Sequence, residues 1–431
     1  MKGGDSLAGS KPENYYRASL ATGASRPRLE GAQRTDICIV GGGFTGLSAA
    51  FHLAAAGARV TLIEAETIGF AASGRNGGQL HTGFRKTQKQ LERWLGEIHA
   101  RDLWTIGEEA KMLVRELTTA HQIECFLKKG LVIAAHDRAA AQELADDTAY
   151  LRSHYGYTAA RMMDAAETAA QLGTDVYPAA RIDSGGGHLQ PLAFARGLAQ
   201  AGERAGAELY EFTKAREIET SNTGMHIICD SATIDAAQVI VACDAFTGDL
   251  LPQLAPYIAH VESFITATEP LPDELYGRVL PSDAAVADTR HVLDYYRKSE
   301  DRRMLFAGRE SYFTVPSDIA RLVRPRMERV YPALKSARIE YAWRGTVGIT
   351  RTRMPHFGRL GERVLFAHGY SGQGVALANL GGKVLAEAAM GKPERFDVLA
   401  RVPPKRFPGG ARLRKPLVSA GLLWFKLLDH F

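Results

Sequence analysis

Three glycines spaced Gly41-x-Gly43-x-x-Gly46, followed by Glu64, have the types and spacing to hold a pyrophosphate and a ribose. Gly41 permits a tight turn. Gly43 lets the backbone approach the phosphates with no Cβ in the way, and Gly46 lets a helix lie close on the preceding strand. Phe44 and Thr45 begin that helix, whose N-terminus offers N–H groups and the positive end of a dipole. Glu64 stands 18 residues past Gly46 and can accept from both ribose hydroxyls, while its charge repels a 2′-phosphate. With 43 glycines in the chain, the triplet alone would be weak. Its setting makes it specific. Residues 36–40 (DICIV) form a short apolar run. Residues 45–56 place Leu47, Ala50, Phe51 and Ala54 on one helical face, Gly57 ends the helix, and 59–63 (RVTLI) is a second strand.

Two more glycine-rich stretches lie where a larger cofactor would need them. Ser73-Gly74-Arg75-Asn76-Gly77-Gly78-Gln79 begins nine residues after Glu64. It supplies a hydroxyl, a guanidinium, an amide and bare N–H groups, suited to a pyrophosphate and to the edge of a flavin ring. A nicotinamide enzyme has no need of it. Gly369-Tyr370-Ser371-Gly372-Gln373-Gly374 precedes a helix that starts at Val375. A helix N-terminus there stabilises the negative charge of a reduced flavin. Three such turns, about 300 residues from first to last, point to one cofactor held from both ends of the chain.

The elements between them read as follows. Helical patterns cover 88–120, 137–172, the stretch after Pro191 and 317–330. Strand patterns cover 130–136, 207–213, 225–230, 238–242, 260–267, 291–297, 304–307 and 363–367. Gly185–Gly187 reads as a turn. Residues 1–35 read as an extended arm, with Tyr15 and Tyr16 as anchors to the body.

Composition narrows the function classes. The 431 residues are 45% hydrophobic and 23% charged, ordinary for a globular protein of two domains. No apolar run is long enough to span a membrane. The net charge of +5 is concentrated at the ends. Residues 1–35 carry six basic and three acidic residues, and 401–431 seven basic and one acidic, leaving a body of net −4. An acidic body excludes a broad nucleic-acid surface. Residues 412–431 mix apolar and basic groups at helical spacing. Packing on the body is the preferred reading, with weak membrane-surface contact as the alternative. Cys38, Cys125, Cys229 and Cys243 are far apart, with no metal-ligand spacing, so no metal is expected. Reduced thiols and no apolar leader fit a cytoplasmic protein.

Over nearly its whole length the chain resembles the D-amino-acid oxidase superfamily of FAD-dependent amine oxidoreductases. Within it, the chain looks most like the γ-glutamylputrescine oxidoreductases. The resemblance is carried by ENYYRASL, CIVGGGFTGLSAA, IGFAASGRNGGQ, GGGHLQPLAFARGLA, FITATEPL, LDYYRKSEDRRMLFAG, WRGTVGITRTRMPHFG and HGYSGQGVALA. It implies an α/β and α+β fold: a Rossmann-like FAD-binding domain (36–90, 186–255, 343–400) interleaved with a substrate domain on a mixed, largely antiparallel sheet (91–185, 256–342). The arm (1–35) and a basic tail (401–431) flank them. Ala65, Ala72, Ala215 and Ala242 complete the expected cofactor set. Sarcosine-oxidase relatives attach flavin through a Cys where Gly345 stands, which implies noncovalent FAD. α-Amino-acid oxidases place a carboxylate-clamping Arg where Val347 stands, which argues for an amine without an α-carboxylate.

The expected chemistry is hydride transfer from the carbon bearing a neutral primary or secondary amine, then imine hydrolysis and reoxidation by oxygen or another acceptor. His81 is a candidate for tuning amine protonation, Arg297 for favouring oxygen reduction, and Trp343 for walling the pocket. Tyr296 lies beside Arg297 on a strand that the resemblance sets near the flavin. Each also reads readily as a core, interface or surface residue, and for His81 the structural reading is preferred. Two rivals remain: an amino-acid oxidase clamping a carboxylate with Arg344 or Arg351, and a non-catalytic FAD-binding scaffold. The oligomeric state is left open.

Overall fold

The computed structural model describes residues 14–408 except 22, 24, 222–223 and 312–316. The segment 412–431 lies outside the described residues. Among those described, two sheets carry the fold.

The first has its strands in the order His356–Leu360, Val364–His368, Ala232–Val241, Gly31–Val40, Val60–Ile63, Glu208–Tyr210. The hairpin Ala215–Ser221/Gly224–Cys229 pairs onto Ala232–Val241. The central strands are parallel, and Val40 stands between Val241 and Ile63. They are buried on both faces, which explains their unbroken apolar runs. The Gly31–Val40 strand starts five residues before the expected 36, because Gly31–Thr35 pair with Ala232–Ala236. The arm therefore ends at the strand, and within it Tyr15–Ala18 is a short helix.

Helix Phe44–Ala55 packs on Gly374–Ala389 at very close range. A Cβ on Gly382 would lie 2.2 Å from the Thr45 carbonyl oxygen, so only glycine allows this approach. Ser48 Oγ then donates to the Asn379 carbonyl at 2.6 Å.

The second sheet runs Ile339–Thr350, Ile258–Thr268, Met304–Ser311, Tyr295–Lys298, Ala285–Asp288, Lys128–Ala135, Ala179–His188, Gln79–Leu80, with Ala160–Met163 on Ala179–His188. One face packs Phe264, Tyr296 and Phe306 against helix Ile319–Val330. The other packs Ile265, Leu305, Ala307 and Trp343 against Tyr15, Tyr16 and Leu192.

Several expectations are corrected. The helical stretch 88–120 is two helices, Gln88–Leu95 and Glu97–Ala120, broken at Gly96 with φ +88°. The stretch 137–172 is Arg138–Tyr155 and Ala165–Leu172 with strand Ala160–Met163 between. Gly185–Gly187 is not a turn but the end of strand Ala179–His188. A Cβ on Gly187 would lie 2.3 Å from the Lys128 carbonyl oxygen, so glycine is needed where these strands touch. The boundary expected at 343 falls inside Ile339–Thr350, which pairs with Ile258–Thr268 along its length. The chain leaves the second sheet only between 350 and 356.

Candidate flavin and amine site

Strands ending at Val40, Ile63, Val241 and His368 bring their carboxyl ends to one edge of the first sheet. The Gly31–Val40 strand connects to Val60–Ile63 on one side and pairs with Ala232–Val241 on the other, a topological switch point where ligands bind. All three glycine-rich stretches converge there.

The glycine turn is fixed by its neighbours. Gly41 has φ +115°, and a Cβ on it would lie 2.6 Å from the Ala242 carbonyl oxygen. A Cβ on Gly46 would lie 1.9 Å from the Gly41 carbonyl oxygen, so Gly46 makes room for the turn itself. A Cβ on Gly43 would lie 2.9 Å from Ser73 Oγ. Ser73 Oγ accepts from Phe44 N–H at 3.0 Å and so ties the second stretch to the first. Glu64 accepts from Gly42 N–H at 2.6 Å and Glu66 N–H at 2.9 Å, with burial pushing its pKa up against these two donors. The carboxylate is held at the strand end, where the ribose reading needs it. Ala65 follows it directly. Ala215 begins the outer hairpin, opposite Cys229.

The second stretch is a braced loop. Asn76 Nδ2 donates to the Ala72 and Ser73 carbonyls, and its Oδ1 accepts from Gly78 N–H. Asn76 thus shapes the loop rather than offering its amide outward. Arg75 Nε donates to the Phe70 carbonyl and Nη1 to the Arg344 carbonyl at 3.3 Å. Gln79 Nε2 donates to the Val286 carbonyl, and its Oε1 meets His81 Nε2 at 3.1 Å. Gly78 has φ +74°, and Leu189 leaves no room for a side chain there.

At the third turn, Gly372 has φ +93° and Gln373 precedes helix Gly374–Ala389. Asp244 holds the turn by accepting from Gly369 N–H and Gly348 N–H. Thr45 Oγ1 donates to Tyr370 Oη at 2.9 Å, tying the third turn to the first. Gln373 Oε1 is buried with no partner among the described residues, beside Val375 in the first turn of the helix. An orphaned amide oxygen there fits a ligand that brings a donor, as a flavin ring N–H does. The residues present therefore fit FAD.

The four catalytic candidates separate. His81 is half-buried, and burial first, then the charges of Arg85 and Arg181, push its pKa down to about 4. It is neutral at physiological pH and a weak base. Tyr296 is misplaced. It stacks on Phe306 and meets Tyr331 edge-on, in the core behind the second sheet. Successive strand residues face opposite ways, so Tyr295, not Tyr296, shares a face with Arg297. A Cβ on Gly77 would lie 2.7 Å from the Tyr295 ring, and Tyr295 Oη meets Ser263 Oγ at 2.9 Å.

Arg297 is 3% exposed. It donates to the Gly77 carbonyl through Nε and to the Lys298 carbonyl through Nη1, with Nη2 3.4 Å from Tyr16 Oη. Tyr16 in turn donates to the Asn76 carbonyl. Arg297 and Tyr16 therefore brace the flavin loop from behind. Trp343 likewise donates its indole N–H to the Arg75 carbonyl and meets Tyr16 edge-on. It supports the loop rather than walling a pocket. The signal for Tyr16 was present in the arm as two adjacent tyrosines. That for Tyr295 was the two-residue strand period.

The carboxylate-clamp alternatives are not met at the named positions. Val347 faces Val261 across the strands. Arg344 is exposed, and Arg351 is exposed with its Nη1 donating to the Arg406 carbonyl.

Comparison with known proteins gives the family. The family model described as FAD dependent oxidoreductase (DAO) matches residues 36–388. The chain is 38% identical over 419 residues to a probable oxidoreductase OrdL of Rhizobium meliloti, covering 97% of each. It is 36% identical over 420 residues to the γ-glutamylputrescine oxidoreductase of Escherichia coli, covering 97% of this chain and 98% of that one. Among solved structures, glycine oxidase from Geobacillus kaustophilus superposes with a TM-score of 0.73 at 22% identity, over 84% of this chain and 95% of that one. With these findings, the flavin cradle and the two-sheet architecture have one family between them, and the chain belongs to it: it is a DAO-family FAD-dependent amine oxidoreductase.

Proposed function

We propose that the protein oxidises the primary amine of a γ-glutamylputrescine-like compound to an aldehyde. The observation that carries this is Val347, set opposite Val261 where a relative acting on α-amino acids would need a carboxylate partner. A carboxylate buried against two valines loses its water and gains nothing, at a cost of several kcal/mol. Similarity to the E. coli γ-glutamylputrescine oxidoreductase supports the same choice. The amino-acid oxidase reading loses Arg344 and Arg351, both exposed.

FAD would be held by the Gly41–Gly46 turn, Glu64, the Ser73–Gln79 loop and the Gly372–Val375 turn, without a covalent bond. Gly345 backs onto Arg75, its Cβ position 3.3 Å from that of Arg75. The Cys243 thiol has its pKa pushed up to about 12 by burial and donates to the Val40 carbonyl. It stays a thiol. Bound FAD supplies a two-electron acceptor for the hydride from the amine carbon. The chain's part is to admit the neutral amine, fix its C–H bond and exclude bulk water. The substrate carbon gives up a hydride and its nitrogen a proton, and water converts the imine to aldehyde and ammonia. The electrons then pass to oxygen or another acceptor. Reduced cysteines and this soluble chemistry are consistent with a cytoplasmic setting.

The test is anaerobic bleaching of the flavin with γ-glutamylputrescine, putrescine, sarcosine, glycine and D-alanine. Faster bleaching by γ-glutamylputrescine supports the proposal. Faster bleaching by glycine or D-alanine overturns it.

A further inference from the structure

Four successive carbonyls of the Ser73–Gln79 loop each accept one side-chain donor from elsewhere in the chain. Asn14 Nδ2 donates to the Gly74 carbonyl at 3.1 Å, Trp343 Nε1 to that of Arg75 at 3.1 Å, Tyr16 Oη to that of Asn76 at 2.8 Å and Arg297 Nε to that of Gly77 at 2.9 Å. All four donor residues are buried. They form one cluster. Tyr16 meets Trp343 with ring centroids 5.3 Å apart, the Arg297 guanidinium lies 5.7 Å from the Tyr16 ring, and Asn14 caps the short helix that carries Tyr16. Burial raises the pKa of Tyr16, so Oη keeps the proton that it donates.

The peptide bonds of the loop are trans, which sets each carbonyl antiparallel to the N–H that follows it. Drawing the carbonyls of residues 74–77 toward the cluster therefore turns the N–H groups of residues 75–78 away from it. Two of these close on the loop itself. Arg75 N–H donates to the Ala72 carbonyl at 3.3 Å, and Gly78 N–H to Asn76 Oδ1 at 2.7 Å. The N–H groups of Asn76 and Gly77 have no partner among the described residues. Two adjacent donors, unpaired and fixed from behind, suit an acceptor on which negative charge develops.

We propose that Asn14, Tyr16, Trp343 and Arg297 are positioning residues, a clasp that aims the Asn76 and Gly77 N–H groups at an acceptor atom of the flavin ring and so favours the reduced flavin. This rests on the reading above that the Ser73–Gln79 loop holds FAD. It adds that the N-terminal arm, through Asn14 and Tyr16, belongs to the cofactor site. A hydride brings two electrons and one proton to the ring, leaving it with one net negative charge. Donors fixed in advance stabilise that charge more than they stabilise the neutral oxidised ring. The clasp contributes by holding the donors still, since none of its four side chains has its bonded donor group free to reach the ring itself.

The test is the midpoint potential of FAD in the holoprotein, titrated against a reference dye with no substrate present. Tyr16→Phe removes the Oη donor and keeps the ring on Trp343. Trp343→Phe removes the indole donor. Asn14→Ser keeps a side-chain oxygen to cap the helix and loses the Nδ2 donor. None of the three changes a charge. Each should lower the ratio of reduced to oxidised flavin about tenfold at a given potential, a shift of ~30 mV for a two-electron couple. Tyr15→Phe is the control, because Tyr15 lies in the same arm but donates to Asp301 rather than to the loop. Its ratio should stay within about twofold of the native one. Where a variant holds FAD too weakly for this titration, its apoprotein is titrated with oxidised and with reduced FAD. Affinity for the reduced form should then fall about tenfold further than affinity for the oxidised form. Native potentials in Tyr16→Phe and Trp343→Phe, an equal shift in Tyr15→Phe, or equal loss of affinity for both forms would overturn the clasp. If the potential falls as expected but no amine reduces the flavin, the clasp stands and the amine-oxidase reading falls. If γ-glutamylputrescine bleaches the flavin while the variants keep the native potential, the clasp falls alone.

Discussion

Gly46→Ala is the sharpest perturbation of the flavin cradle. The added methyl carbon would sit 1.9 Å from the Gly41 carbonyl oxygen, 3.1 Å from its carbon and 3.3 Å from Ile39 Cγ2. Ordinary contact requires the oxygen to retreat by roughly 1.5 Å. Gly41 has nowhere to go. Its N–H is bonded to the Ile63 carbonyl at 2.9 Å, and the Ala242 carbonyl closes the other side. The strain of overpacking is about 1–3 kcal/mol, offset by ~0.5–1 kcal/mol from alanine's better helix propensity. The apoprotein should thus remain folded, with about 1–2 kcal/mol less stability. The larger effect falls on FAD, because the turn's N–H groups shift relative to the phosphates. We expect FAD to bind at least tenfold more weakly, ~1.4 kcal/mol. Titration calorimetry on the apoprotein, with circular dichroism for folding, measures both. Gly57→Ala is the control. It has φ +88° with open space around its Cβ, so it costs about 1–2 kcal/mol in backbone strain and leaves FAD binding unchanged. A folded Gly46→Ala protein with the native FAD affinity would refute the placement of the pyrophosphate at this turn.

Glu64→Arg should abolish FAD retention during gel filtration while the chain still folds. The two N–H donors it now satisfies, on Gly42 and Glu66, lose charge-assisted bonds of ~1.5–3 kcal/mol each; retained FAD would contradict the ribose assignment. Acid precipitation should leave intact FAD in the supernatant, and flavin in the pellet would establish a covalent link. His188 sets an acid limit on stability. Burial, then the charge of Arg297, pushes its pKa down to about 4 from 6.5, and its Nε2–H donates to the Asp283 carbonyl. Its contribution is complete above pH ~6.5 and is lost as pH falls towards 4, up to about 3 kcal/mol. Urea unfolding of the apoprotein at pH 7 and pH 5 should show this loss in the native chain and less of it in His188→Asn. Equal slopes would count against it.

The proposed cofactor cradle is legible because its signal is local. Gly41, Gly43, Gly46 and Glu64 stand at fixed spacing within one strand–helix–strand unit, and the structure gives each glycine a steric reason. Orientation is not legible in the same way. Tyr296 and Arg297 are adjacent in sequence, but neighbours on a strand face opposite sides, so Tyr295 holds the place by the Ser73–Gln79 loop. Sequence offers Trp343 as a pocket wall and Arg297 as an aid to oxygen reduction, whereas the arm's Tyr16 draws both into support of that loop. Strand Ile339–Thr350 carries little strand signal in sequence because WRGTVGIT breaks its apolar run with an arginine and two glycines. One of those glycines, Gly348, leaves room for Asp244, whose carboxylate oxygens would lie 2.8 Å from a Cβ there.

The most direct test is the stoichiometry of one anaerobic turnover with γ-glutamylputrescine. Flavin reduction is followed at its visible absorbance, with the organic product and ammonia assayed after quenching. We predict one aldehyde and one ammonia for each flavin reduced, with the glutamyl α-amino group intact. Loss of that α-amino group with formation of a 2-oxo acid would place the oxidation at the carbon bearing the carboxylate, and would contradict the assignment of Val347 to the reacting end.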